Sequence, residues 1–203
     1  MPKRELLVAL RATLVTLVLT GVAYPLLTTG VALALFPGRA RGSLAVDQQG
    51  RVVGSELIAQ PFASAAYLQP RPSAAGEKGY DASSSSGSNL GPTSKALRDR
   101  AVKDLERLRQ ENPDAPGAVP AELVTTSASG LDPHLSPDVA LWQAPRIAHA
   151  RGVAPERVRA VIEANVEGRD LLVLGEPRVN VLLVNLALDR LFGRPPPLAS
   201  RRE

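Results

Sequence analysis

The sequence predicts an α+β protein with a single N-terminal transmembrane helix and one helix-rich soluble domain carrying a few short strands. Three observations lead there. Residues 12–38 hold no Asp, Glu, Lys or Arg, a longer charge-free run than the ~20 residues needed to cross a bilayer. The roughly 160 residues beyond it suffice for one domain with its own core and fall short of two. Helix starts and stops recur through the second half of the chain, whereas strand signals are short and scattered.

The apolar run is read as an uncleaved anchor, with residues 1–11 before it and the soluble domain at 39–193 after it. Ala32, Leu33 and Ala34 fit a small-x-small cleavage pattern, but a secretory h-region of about 7–15 residues is shorter than this one. A buried core helix would show a polar face, and here only threonines and Tyr24 are polar. Threonine hydroxyls can bond back to their own helix. Gly21, Pro25 and Gly30 are read as packing features, because Pro disturbs the helix and small residues admit a neighbouring one. Lys3, Arg4 and Arg11 before the run against Arg39 and Arg41 after it place the N-terminus in the cytoplasm and the domain outside.

The net charge of +4 and pI near 9.8 do not point to nucleic acid. Of 24 basic and 20 acidic residues, five and one lie at or before Arg41, leaving 19 of each beyond it. The basicity belongs to the membrane flanks and bears on topology. Cysteine is absent, which removes disulfides, thiol catalysis and thiolate metal sites.

Residues 43–46 and 51–53 read as extended pieces around the turn signal at 47–50. From 69 to 93 the chain becomes rich in Pro, Ser, Gly and Asn without periodicity, a run expected to be functional or disordered. Thr93 or Ser94 caps a helix to about Asn112, with Leu97, Ala101, Leu105 and Leu108 on its apolar face. Residues 122–126 are a strand candidate. Ser136 and Pro137 open a second helix to about Ala150, which Pro145 must kink or divide before Gly152 stops it. Pro155 opens a third, facing the core with Val158, Val161 and Ile162. Asn180 caps a fourth that ends at Gly193, and residues 194–203 form a frayed polar tail.

Candidate chemistry is sparse. Residues 87–95 superficially resemble a phosphate loop, but Pro92 follows the second Gly and removes an amide that would cradle phosphate. Ser127 and Ser129 lie near a nucleophile-elbow pattern without its first Gly, with His134 and His149 as bases for a serine hydrolase. Asp132, His134, Asp138 and His149 match no compact metal-ligand spacing. Arg71 suits a carboxylate partner in an ion pair. With Asn89 and Asp132 it is also a candidate for an extracytoplasmic solute-binding site.

Three stretches, taken in order, carry a resemblance. The first is RPSA at 71–74 with YD at 80–81 and SGSNLGP at 86–92. The second is LVTTSASGLDPH at 123–134, continued by Gln143, Pro145-Arg146 and Ala150-Arg151. The third is GEPRVNV at 175–181, leading into NLALD at 185–189. With YPLLT at 24–28, the chain resembles, over nearly its whole length, the C subunit of the bacterial Kdp-type potassium-transporting P-type ATPase. Four successive serines at 83–86 and the tail beyond Gly193 depart from the pattern.

The resemblance implies a single-span, non-catalytic subunit of an inner-membrane complex. Its partners are a channel-like potassium-binding subunit, a P-type ATPase subunit and a small peptide subunit. The family's C subunit is described as a catalytic chaperone that raises the ATPase subunit's affinity for ATP. No cofactor is expected to be held tightly, ATP being engaged through the partner ATPase subunit. No catalytic or metal residues are assigned; the motif residues expected at subunit contacts are Gly21, Pro25, Arg71, Ser88, Asn89, Asp132, His134, Gln143, Arg146 and Asn180.

Overall fold

A computed structural model of the chain describes residues 3–196. The tail expected at 194–203 lies outside the described residues from 197 onward. The chain divides into two compact units, Met1–Leu44 and Ala45–Glu203.

The first unit is dominated by a 33-residue helix, Lys3–Leu35, none of it buried within the chain and long and apolar enough to cross a membrane. It comprises α1 (Lys3–Val18), a π turn (Leu19–Ala23) and α2 (Tyr24–Leu35). The π turn sits immediately before Pro25, whose ring has no N–H and would clash with the carbonyl one turn earlier. Widening that turn is how the helix continues through the proline. The threonines bond back as their chemistry allows: Thr16 Oγ1 donates to the Ala12 carbonyl at 2.8 Å, Thr20 to Thr16 at 2.7 Å and Thr28 to Tyr24 at 2.9 Å. A short α3 (Pro37–Ala40) follows.

Strands β1 (Leu44–Val46) and β2 (Val52–Ser55) pair around the expected turn. Asp47 organises it, accepting from the Gln49 and Arg51 amides and pairing with the Arg51 guanidinium at 2.7 Å. Helix α4 (Lys95–Glu111) begins where Ser94 Oγ accepts from the Leu97 amide and buries Leu108. The strand expected at 122–126 does not form. Ala121–Leu123 is a 3-10 turn after Pro120, and Thr125 turns back through its amide and its hydroxyl to the Ala121 carbonyl.

Pro145 divides the second expected helix into α5 (Pro137–Trp142) and α6 (Ala144–Arg151), with Gln143 at the junction. Ser136 holds the capping position of α5 without its side chain making the capping bond; its own amide donates to Glu122 at 3.1 Å. Gly152 ends α6 in a left-handed conformation that L side chains disfavour. Helix α7 (Pro155–Ala164) buries Val158, Val161 and Ile162 as expected. Three strands that the sequence reading did not anticipate form an antiparallel sheet in the order β3 (His134–Leu135), β5 (Arg178–Asn180), β4 (Val166–Glu167). Each is only two or three residues long, too short to display alternation.

Asn180 closes this sheet opposite His134 and caps α8 (Val181–Phe192), accepting from the Leu183 amide at 3.2 Å. The core gathers Leu135, Ile147, Val158, Ile162, Val179, Val184 and Leu188 between the sheet and α5–α8. Asn180 Nδ2 also donates to the Glu56 carbonyl at 2.8 Å. Replacing Asn180 with Ala removes the cap and leaves that carbonyl unpaired, so unfolding of the full chain in detergent should show a loss of about 2 kcal/mol. An unchanged unfolding curve would contradict the cap's role.

Candidate functional site

Residues 65–69 lie against the core, with Ala66 and Leu68 buried, and belong to neither sheet. Buried backbone must still find hydrogen-bond partners. Here side chains provide them. The Asn185 carboxamide accepts from the Leu68 amide at 2.8 Å and donates to the Leu68 carbonyl at 3.0 Å, imitating a neighbouring strand. Gln143 does the same for Gln69, accepting at 3.0 Å and donating at 3.1 Å. Arg146 donates to the carbonyls of Ala65 at 2.7 Å and Tyr67 at 3.1 Å, and also to Asn112 Oδ1 and Gln143 Oε1. Arg151 donates to the Ala66 carbonyl at 2.8 Å, pairs with Asp189 at 2.8 Å and lies 5.1 Å over the Tyr67 ring.

Burial lowers the Arg146 guanidinium to about 10, leaving it a cation at neutral pH. Its nearest acceptors are neutral dipoles, which suits a weakly hydrated, planar donor set. Burial and then the hydrogen bond to Asp189 raise the Tyr67 hydroxyl to about 12. It therefore stays protonated and donates to Asp189 at 2.8 Å.

Two motif loops meet beside this clasp. Ser73 Oγ donates to the Gly130 carbonyl at 2.6 Å and accepts from the amides of Ala75 and Tyr80. The Ser86 amide donates to Ser129 at 2.9 Å. Gly130 has a φ of +67°, and a Cβ there would stand 2.5 Å from the Ser86 carbonyl oxygen, so only glycine permits the approach. Arg71 reaches the carbonyls of Thr125 and Thr126 and stands 3.5 Å from Asp132. The His134 imidazole and amide, with Arg71, hold the Asp132 carboxyl below the usual carboxylate range. The ring Nδ1 is 3.7 Å away, beyond hydrogen-bond reach, so the amide bond at 3.0 Å is the stronger geometric contact.

Most of these clasping and stapling side chains lie in the motifs quoted above. The profile of KdpC, the K+-transporting ATPase c chain, matches residues 6–190. A Myxococcus xanthus protein called potassium-transporting ATPase KdpC subunit is 67% identical over 193 residues, covering 95% of this chain and 91% of its own. Proteins of the same name from Bradyrhizobium diazoefficiens and Methylobacterium nodulans are 51% and 54% identical, covering 92% and 87% of this chain and 97% and 92% of their own. The chain belongs to the KdpC family.

In this KdpC-family chain the candidate residues divide among several places. Gln143 and Arg146 join the clasp, Arg71, Asp132 and His134 the loop junction, and Asn180 the start of α8. Ser88 is half-buried and Asn89 exposed with a φ of +51°. Neither is hydrogen-bonded to Arg71 or Asp132 among the described residues. Gly21 and Pro25 lie in the apolar helix of the other unit. The hydroxyls of Ser127 and Ser129 stand 3.5 Å apart, and Ser129 accepts from the Leu131 amide. Among the described residues no hydrogen bond joins either to His134. The would-be phosphate loop is the entry to α4. Among the described residues no His, Asp and Glu gather as a metal site. A cavity of about 750 Å³ opens between the β1–β2 turn, Tyr67 and α8, away from Arg71 and Asp132.

Sequence reasoning missed Tyr67 altogether, took Asn112 only as a helix end, and took Asn185 and Arg151 only as motif letters. A polar side chain at an otherwise apolar position of a helix, as with Asn185 among the leucines of α8, was the available signal. Changing Arg146 to Ala leaves the partly buried carbonyls of Ala65 and Tyr67 without a donor. Denaturant unfolding of the full chain should report a loss of roughly 3 kcal/mol, with Lys restoring less than half because it lacks the planar fork. A change below about 1 kcal/mol would contradict this role for Arg146.

Proposed function

We propose that the chain is a non-catalytic accessory subunit of an ATP-driven, high-affinity potassium uptake complex, which it helps to assemble. The observation that carries this reading is the match to the K+-transporting ATPase c chain over residues 6–190. The polar motif residues support it, because their side chains are engaged in holding backbone. Lys3–Leu35 anchors the subunit in the inner membrane, with the N-terminus in the cytoplasm and the soluble domain outside. Its partners are a channel-like potassium-binding subunit, the P-type ATPase subunit and a small peptide subunit.

A chaperone effect on the ATPase subunit's affinity for ATP fits this placement only indirectly. ATP is cytoplasmic, and the domain is on the other side. Any such effect passes through assembly or through contacts of the membrane helix, where Gly21 and Gly30 leave room for a neighbour.

Solubilised in mild detergent from cells making all the subunits, the chain should elute with potassium-stimulated ATPase activity. Added protease should digest its domain in right-side-out vesicles. A chain eluting alone and monomeric would overturn the subunit reading, and full protection of the domain would overturn the orientation.

A further inference from the structure

Between β4 and β5 the chain makes a tight turn that no part of the domain covers. Leu171, Leu172, Val173 and Leu174 are 83%, 89%, 71% and 57% exposed, the first two being the most exposed large apolar residues described. The turn is nevertheless well formed. The Asp170 amide donates to the Leu174 carbonyl at 2.8 Å and the Leu174 amide returns a bond at 2.9 Å. Leu171 and Leu172 have φ of +51° and +69°, a left-handed pair that favours Asn and Gly. The fold thus holds two leucines where its backbone disfavours them and buries neither. Strained backbone that the surrounding structure enforces is a mark of functional segments, and contiguous exposed aliphatic surface is a mark of binding.

The base of the turn indicates what binds. Arg169 pairs with Glu176 at 2.7 Å, and Arg178 pairs with Glu167 at 2.9 Å and Asp170 at 3.5 Å. Two cations face three carboxylates, and both cations are already paired. An anionic lipid surface is held by surplus Lys and Arg, which this rim lacks. A solvent-exposed aliphatic tip inside a polar ring with one carboxylate in excess has instead the layout of a protein interface, with an aliphatic centre and a polar rim.

We propose that the 170–174 turn is a docking knob whose leucines enter an apolar socket on another protein subunit of the ATPase complex. The proposal rests on the subunit reading above. The ion pairs and the bridge hold the knob in its bound shape, which reduces the ordering needed on association. The turn leads through Gly175, Glu176 and Pro177 into β5, whose Val179 is buried in the core.

The test uses the full complex. Leu171→Asn combined with Leu172→Gly suits the turn better and strips its aliphatic surface. The melting temperature of the full chain in detergent should be equal or higher, while the amount retained on the purified complex falls at least tenfold. A photoreactive benzoyl-phenylalanine at position 172 should give an adduct with a different subunit. Retention within twofold of the parent, a lowered melting temperature, or adducts only with lipid or a second copy of this chain would each overturn the knob. If the parent chain is itself not retained, the subunit reading fails and the knob fails with it. Equal retention of parent and variant removes the knob alone.

Discussion

The domain is organised by a need to satisfy buried backbone without a partner strand. Residues 65–69 lie against the core, and the amides of Leu68 and Gln69 and the carbonyls of residues 65–69 are answered by side chains of α6, α8 and Gln143. An unanswered buried group costs about 1–3 kcal/mol, so losing several would exceed the stability of an ordinary domain. The clasp therefore fixes the relative positions of α6 and α8, and with them the β5 strand that α8 continues. It also explains why Pro145 is tolerated: the break it makes between α5 and α6 is where Gln143 turns inward.

Holding residues 65–69 rigidly also fixes where the next residues begin. Arg71 and Ser73 leave the clasp pointing at the 125–130 loop and bind its carbonyls. The polar run at 69–93 is thus ordered by bonds to one neighbouring loop, with Gly130 allowing contact too close for any other residue. Motifs that look chemical when written as letters, such as the serines around 127 and the Asp132–His134 pair, are occupied in this junction. A subunit that contributes structure to an assembly needs that kind of rigidity. The two most exposed large apolar residues described, Leu171 and Leu172, lie at the 170–174 turn.

Much of the architecture was readable from the residues. The anchor, the capped helices and the hairpin at Asp47 follow from local chemistry: a charge-free run, Ser94 and Asn180 as caps, and an Asp-led turn. What failed was whatever depended on distant pairing. Strands β3, β4 and β5 have too few residues to show a period and exist because β5 lies between the other two. The expected strand at 122–126 gave way to a turn because Thr125 bonds back to Ala121 after Pro120. The clasp was invisible for the same reason: Asn185 and Leu68 are 117 residues apart. Of the candidate site residues, Arg71 was legible as an ion-pair former, whereas Gln143 and Arg146 entered only through resemblance to the Kdp C subunit. The leucines at 171–174 carry no sequence signal of their exposure, because only the fold shows which side an apolar run faces.

The central claim is that side chains take the place of a strand along residues 65–69. Amide hydrogen exchange of the full chain in detergent tests it directly, because protection reports local opening. The Leu68 and Gln69 amides should exchange as slowly as that of Val184 in α8, and Asn185→Leu should abolish the protection of Leu68. Exchange of both amides in the unaltered chain as fast as in the open loop at Gly117 would contradict the account.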